Sequence, residues 1–213
     1  MRRPKILLAD DHAIVRDGLR LMLEKDFEIV GAVDDGRALV KEAARLAPDV
    51  VIMDISMPML NGVEATRQLR QSLSRIKVVV LTMHADVTYA TEALDAGASG
   101  YVLKNSPSEE IKTAIRKALA GKTYVSPKIA QQVVPFLVTG SHQIKRQVSR
   151  LTPRQREVLQ LLAEGRTGKE VAHLLCVSPR TVEFHKYKMM QELGLHSSAE
   201  LIRYAIKHGI IST

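Results

Sequence analysis

The chain carries one cysteine, Cys176, among its 213 residues. A single thiol excludes an intramolecular disulfide, and that absence fits a reducing cytoplasm. With no histidine or second cysteine beside it in sequence, Cys176 reads as a small core residue rather than a sensor. Long apolar runs are also lacking. None approaches the ~18 residues that a membrane span needs, so no transmembrane helix is expected. Met1-Arg2-Arg3-Pro4-Lys5 is basic, but only a short strand-like run separates it from Asp10, which does not read as a signal peptide. There is no internal repeat and no low-complexity tract.

What is there suffices for one large or two small domains, since 46% of the residues are hydrophobic. The charge is unevenly divided. Residues 1–125 hold 18 Lys and Arg against 17 Asp and Glu, whereas residues 126–213 hold 13 against 6. The net positive charge therefore sits almost entirely in the last 88 residues. A basic terminal module beside a neutral one points to a polyanionic partner, most often nucleic acid.

The first part alternates strand-like and helix-like segments. Strands are expected at 5–9, 28–33, 49–53, 77–81 and 100–103, and helices at about 12–25, 36–46, 61–71, 87–96 and 107–120. Asn61 with Glu64, and Ser106 with Glu109 behind Pro107, look like helix caps, while Gly97 and Gly121 look like stops. Five β–α units in a row predict a parallel sheet covered on both faces. After Gly121 a short connecting helix is expected at 126–138 and a linker at about 139–149. From 151 onward only helix signals remain, at roughly 153–164, 168–175, 179–193 and 198–208. Thr152-Pro153-x-Gln155, Thr167-x-x-Glu170 and Ser197-x-x-Glu200 read as capping boxes, Ser178-Pro179 as a further start, and Gly165, Gly194 and Gly209 as stops.

Chemistry concentrates at the strand ends. The run Val50-Val51-Ile52-Met53 ends in Asp54, and Ile6-Leu7-Leu8-Ala9 ends in Asp10-Asp11. Parallel strands that finish this way bring their carboxylates to one sheet edge, where open α/β sheets bind ligands. Three clustered carboxylates repel one another and call for a cation. Hard oxygen donors favour Mg²⁺, and Mg²⁺ in turn favours phosphoryl chemistry. A carboxylate such as Asp54 can attack phosphorus and become an acyl phosphate. Two further strands end in Thr82 and Lys104, supplying a hydroxyl and an ammonium at the same edge. The dehalogenase-like phosphatases also use an aspartate after an apolar strand. They need a second carboxylate two residues later, where this chain has Ser56.

Asp10-Asp11, Asp54, Thr82 and Lys104, each at a strand end, with Met57-Pro58 and Gly62, resemble the receiver domain of two-component response regulators. The resemblance covers residues 4–124. It implies that Asp54 accepts a phosphoryl group from a sensor histidine kinase. Asp10, Asp11, Asp54 and the Ser56 backbone carbonyl would hold Mg²⁺, with Asp10 acting through water. Lys104 would pair with the phosphoryl group, Thr82 would swing toward it, and Tyr101 would follow inward. His84, two residues after Thr82, is expected at the rim, modulating water access.

The span 168–193 reads as helix, turn, helix, an arrangement that can place its second helix in the DNA major groove. On that second helix Val182, Met189 and Leu193 share one side, with His185 close to them as a packed residue. Arg180, Glu183, Phe184 and Tyr187 share the other side. Leu151-Thr152-Pro153-Arg154-Gln155-Arg156-Glu157-Val158-Leu159, Ala163-Glu164-Gly165, Lys169-Glu170-Val171-Ala172 and Ser178-x-x-Thr181-Val182-x-x-His185 resemble the LuxR-type helix-turn-helix over 151–211. Both resemblances together are those of the NarL/FixJ response regulators.

The implied fold is α/β: a five-stranded parallel doubly wound, flavodoxin-like receiver, then a connecting helix and linker at 125–150, then a small all-α four-helix domain at 151–213. Carried over by position, Glu183, Phe184 and Tyr187 would face base edges. Lys169, Arg180, Thr181, Lys186 and Lys188 would contact phosphates. Many relatives carry lysine where this chain has Glu183, a carboxylate able to accept from a cytosine amino group. The stripe Leu201-Ile202-x-x-Ala205-Ile206 would cover the small core and form a dimer contact.

The reading is a cytoplasmic, phosphorylation-controlled transcriptional regulator, not an enzyme beyond its own aspartyl phosphorylation and dephosphorylation. Double-stranded DNA, a histidine kinase, a second copy of the chain and RNA polymerase are the implied partners. Two alternatives are a constitutive DNA-binding regulator with the receiver as dimer scaffold, and a protein-interaction adaptor.

Overall fold

The computed structural model describes residues 2–139, 151–208, 210 and 211, and divides into two compact units, Met1–Gly140 and Ser141–Thr213. The first unit runs β1 (Lys5–Ala9), α1 (Ala13–Leu23), β2 (Glu28–Val33), α2 (Gly36–Leu46), β3 (Val50–Met53), α3 (Gly62–Ser72), β4 (Lys77–Thr82), α4 (Val87–Asp95), β5 (Gly100–Leu103), α5 (Ser108–Leu119), β6 (Tyr124–Val125) and α6 (Pro127–Thr139). All strand pairs are parallel, in the order β2-β1-β3-β4-β5-β6. β6 was not foreseen, because two residues carry no readable strand pattern.

The apolar strands alternate between two buried faces. Leu7, Val51, Met53, Val78, Val80 and Tyr101 pack with Leu39 and Ala43 of α2, Leu69 of α3 and Ala90 and Ala93 of α4. Ile6, Leu8, Val50, Ile52, Val79 and Val102 face Leu19 and Leu23 of α1 and Ile111 and Ile115 of α5. Burial on both faces is what lets these strands dispense with polar alternation. The order in which successive strands are added to the sheet reverses between β1 and β3, which lie side by side in parallel with Ile6 paired to Val50 and Ala9 to Met53. The crevice at such a reversal is where a doubly wound sheet presents its site. Asp10 and Asp54 stand at the ends of these two strands.

The second unit comprises α7 (Pro153–Ala163), α8 (Gly168–Leu174), α9 (Pro179–Leu193) and α10 (Ser198–Lys207). Val158, Leu159 and Leu161 of α7, Val171 and Ala172 of α8, Val182 and Met189 of α9, and Leu201 and Ala205 of α10 are all buried. Capping boxes form at Thr152/Gln155 and Thr167/Glu170. Ser197 accepts from the Glu200 N–H, but the Glu200 carboxylate takes the His196 N–H instead of closing its box.

Two other local expectations are corrected. Ser106 does not cap α5: Pro107 holds the N-cap position without a side-chain bond, and the Ser106 hydroxyl lies 3.3 Å from that of Ser126. Cys176 is exposed, not buried. It follows the end of α8 with φ 52°, in the left-handed region. Its N–H donates to His173 O at 3.2 Å, and that of Val177 to Ala172 O at 2.9 Å. The position closes the helix, a task that Gly or Asn usually takes, and the backbone turn carries the side chain outward. The expected linker and the stop at Gly209 lie outside the described residues, apart from Thr139 at the end of α6.

Candidate functional site

The Asp54 side chain is buried at the end of β3. One oxygen, Oδ1, accepts from the Ile55 N–H at 2.6 Å; the other, Oδ2, accepts from Lys104 Nζ at 2.7 Å. The same ammonium lies 2.7 Å from Asp10 Oδ2, so Lys104 bridges the two buried carboxylates. Burial alone would pull the Lys104 ammonium down, but its bonds to Asp10 and Asp54 outweigh that and hold it above the ordinary lysine value. Lys104 follows β5, and its N–H donates to Thr82 O at 2.8 Å, which fixes it beside the end of β4.

Asp11 sits at the rim, where it accepts from His12 Nδ1 at 2.7 Å. One ligand atom each from Asp10, Asp11 and His12 lies within 4.8 Å of the others. α3 starts hard against the end of β3 that carries Asp54. A Cβ at Gly62 would fall 2.3 Å from Asp54 O, so only glycine allows the approach.

A second polar layer lies on β4 and β5. Thr82 is fully buried, and its Oγ1 accepts from the His84 N–H at 3.3 Å. Tyr101 is fully buried too, and its hydroxyl donates to His84 O at 2.8 Å. Burial pushes this phenol far up, with the nearby charges of Asp86 and Asp54 adding to the shift. The His84 ring hydrogen-bonds Ser56 through Nε2 at 2.9 Å and stacks on Tyr89 at 4.6 Å between centroids.

On the second unit, Phe184 and Tyr187 of α9 are 62% and 75% exposed. They line, with Arg180, Glu183, Met190 and His196, an open cleft of about 670 Å³. Lys186 stands 3.6 Å from Glu183, and Lys188 stands 3.8 Å from Glu192. Lys169 is exposed on the first turn of α8. The Thr181 hydroxyl is 2.8 Å from that of Ser178, the cap of α9. His185 is half-buried, edge-on to Phe184, and burial followed by the charges of Arg154 and Lys188 lowers its imidazole below the ordinary value.

Residues 6–116 match the family model of the response regulator receiver domain. The chain is a response regulator. Residues 149–205 match the model of the bacterial regulatory proteins of the luxR family. The oxygen regulatory protein NreC of Staphylococcus aureus is 40% identical over 97% of this chain and 99% of its own length. A two-component response regulator of the LuxR family from Aurantimonas sp. is 38% identical, with a TM-score of 0.61 over 64% of this chain and 99% of that one. RcsB of Salmonella enterica serovar Typhimurium, solved on promoter DNA in the presence of the phosphomimetic BeF3⁻, is 27% identical, with a TM-score of 0.64 over 97% of this chain and 100% of that one. No helix among the described residues is long and apolar enough to cross a membrane.

In this response regulator Asp10, Asp54 and Lys104 are in direct contact, and Thr82 borders them through the Lys104 backbone. Asp11 faces His12, and Ser56 spends its hydroxyl on His84. Sequence reasoning passed over His12, whose signal is its place directly after two aspartates. It also passed over Ser126. That fully buried hydroxyl donates to the Glu110 carboxylate and accepts from the Leu103 N–H at 3.2 Å, just behind Lys104. A lone serine after a two-residue strand offers no signal from sequence.

Proposed function

We propose that Asp54 is the phosphoacceptor of a cytoplasmic, Mg²⁺-dependent phosphorelay, and that its phosphorylation switches the C-terminal module to dimeric binding of double-stranded DNA. The observation that carries this reading is the Lys104 ammonium held 2.7 Å from both Asp54 and Asp10. A positive charge fixed beside a buried carboxylate is poised for the oxygens of an incoming phosphoryl group. An Asp54 oxygen attacks the phosphorus of a phosphohistidine on the kinase. The new O–P bond forms as the P–N bond breaks, and the imidazole leaves with the electron pair and takes up a proton. The reverse traffic is hydrolysis, in which water attacks the acyl phosphate and returns Asp54 and inorganic phosphate.

Asp10, Asp11 and Asp54, with the Ser56 carbonyl, are the proposed holders of Mg²⁺. The buried oxygen donors of Asp10 and Asp54 suit a hard divalent cation, and Asp10 and Asp11 converge near the rim. Such an ion neutralises phosphoryl charge. Lys104 then pairs with the phosphoryl group, Thr82 turns its hydroxyl toward it, and Tyr101 reports the inward state. We assign the receiver to 4–124, the connection to 125–150 and the output module to 151–213. In that module Glu183, Phe184 and Tyr187 face base edges. Lys169, Arg180, Thr181, Lys186 and Lys188 supply phosphate contacts, with the Thr181 hydroxyl giving up its cap partner to do so. Ile202 and Ile206, 36% and 40% exposed beside the buried Leu201 and Ala205, are left for a second copy of the chain. RNA polymerase is the further partner of such a regulator.

Size and DNA affinity of wild type and Asp54→Asn, with Mg²⁺ and a small-molecule phosphodonor, test the reading. The expected result is a phosphodonor-dependent gain in dimer and in DNA affinity that the variant lacks. Equal, salt-sensitive binding by both proteins in all states would replace the switch with a constitutive regulator.

A further inference from the structure

The outer face of α9 combines two features that a solvated surface does not need. Phe184 and Tyr187, three residues apart, expose their rings side by side. Among the described residues no other helix exposes two large aromatic side chains. The second feature is a carboxylate in basic surroundings. Glu183 is 63% exposed at its side chain and has Lys186 only at 3.6 Å, while Arg180, Lys186 and Lys188 share the helix. The last 88 residues carry an excess of seven positive charges, which complements a polyanion.

A carboxylate pressed into a groove walled by phosphates is repelled unless it meets a donor. In the major groove guanine offers only acceptors, N7 and O6, and thymine offers the acceptor O4 and its 5-methyl group. Adenine offers its N6 amino donor only beside the N7 acceptor, which repels a carboxylate, so the cytosine amino group is the standard partner of a carboxylate there, and the thymine methyl that of an apolar ring. From Glu183 to Tyr187 the helix rises about 6 Å, close to two base steps of ~3.4 Å.

Resting on the DNA-binding reading above, we propose that α9 reads a cytosine through Glu183 and thymine methyl groups through Phe184 and Tyr187. The preferred half-site then holds cytosine with thymine within about two base pairs. Arg180 and Lys186 anchor the helix on the backbone without choosing sequence.

Selection from a random duplex library by the full-length protein, with BeF3⁻ and Mg²⁺, supplies the probe. Enriched duplexes should contain the cytosine–thymine pairing. On such a duplex, replacing thymidine by deoxyuridine removes only the methyl group and should weaken wild type roughly fourfold, the transfer value of one buried methyl. Phe184→Ala with Tyr187→Ala should bind both duplexes alike. Glu183→Gln should lose about tenfold of the preference for cytosine over other bases. Lys186→Ala should weaken every duplex evenly and lower the salt slope while keeping the thymidine preference. Glu183, Phe184 and Tyr187 are exposed on the outer face of α9 and Lys186 is partly exposed beside Glu183, and circular dichroism checks that each variant is folded. A deoxyuridine effect that is absent, or unchanged in the aromatic double variant, would overturn the assignment. If no duplex of any sequence is retained, the DNA-binding reading beneath it falls instead.

Discussion

The two units treat the side chains of their proposed sites in opposite ways. In the first, Asp10, Asp54, Thr82 and Tyr101 are withdrawn from water, and each has a named partner at hydrogen-bond distance. In the second, Glu183, Phe184 and Tyr187 stand in solvent on a helix whose inner side is sealed by Val182 and Met189. Phosphoryl transfer needs charges that are desolvated and fixed before the reaction, because water would screen them. Reading a base edge needs side chains that keep their free valences for the partner. On the proposed roles, the same chain solves one problem by burial and the other by exposure.

Removing the bridge should strain this contrast most. Lys104→Met leaves Asp10 and Asp54 facing each other without their ammonium. The first unit should lose about 3 kcal/mol in Mg²⁺-free buffer, as when one partner of a buried pair is deleted. Hydrogen exchange resolved along the chain measures this, and protection of α7 to α10 should be unchanged. Equal loss in both units would erase the distinction between them.

A smaller effect belongs to the second unit alone. Thr152→Ala opens a complete capping box and should cost about 1 kcal/mol, read as faster exchange in α7 with β1 to β5 unaffected.

The smallest effect separates the units by pH. The His185 imidazole, lowered from 6.5 chiefly by burial, takes its proton later on acidification than the unfolded chain does. Its contribution is whole above 6.5 and is lost as the pH falls through the folded value. Lys104 is raised from 10.5, so its contribution is whole below that value and is lost only as the pH rises through the folded one. An imidazole titration by NMR should place His185 below 6.5, and His185→Gln should flatten the acid side of the second unit's stability. A His185 midpoint at or above 6.5 would contradict this ordering.

Much of this was legible from residues because the signals are redundant. The apolar runs ending in Asp10, Asp54, Thr82 and Lys104 fix strand, direction and edge together, and the caps at Asn61, Thr152, Thr167 and Ser178 mark helix starts to the residue. What escaped depends on contacts distant in sequence or on backbone angle. The bond between Ser56 and His84 joins positions 28 apart, and the knot of Ser126 with Leu103 joins positions 23 apart. Cys176 was misplaced because a thiol in the middle of Leu-Leu-Cys-Val looks apolar, whereas the chain turns there through a positive φ. The spacing of Ser106 to Glu109 is that of a cap. The proline between them starts the helix one step later, and the hydroxyl goes to Ser126.

The exposed position of Cys176 has a practical side. The chain owns one thiol, and it stands exposed at the corner between the two helices of the helix-turn-helix. A single maleimide dye or nitroxide added to the unaltered protein therefore goes to one known address. In the proposed dimer on DNA, two labelled copies would report their separation by one distance, without a cysteine having to be introduced or removed.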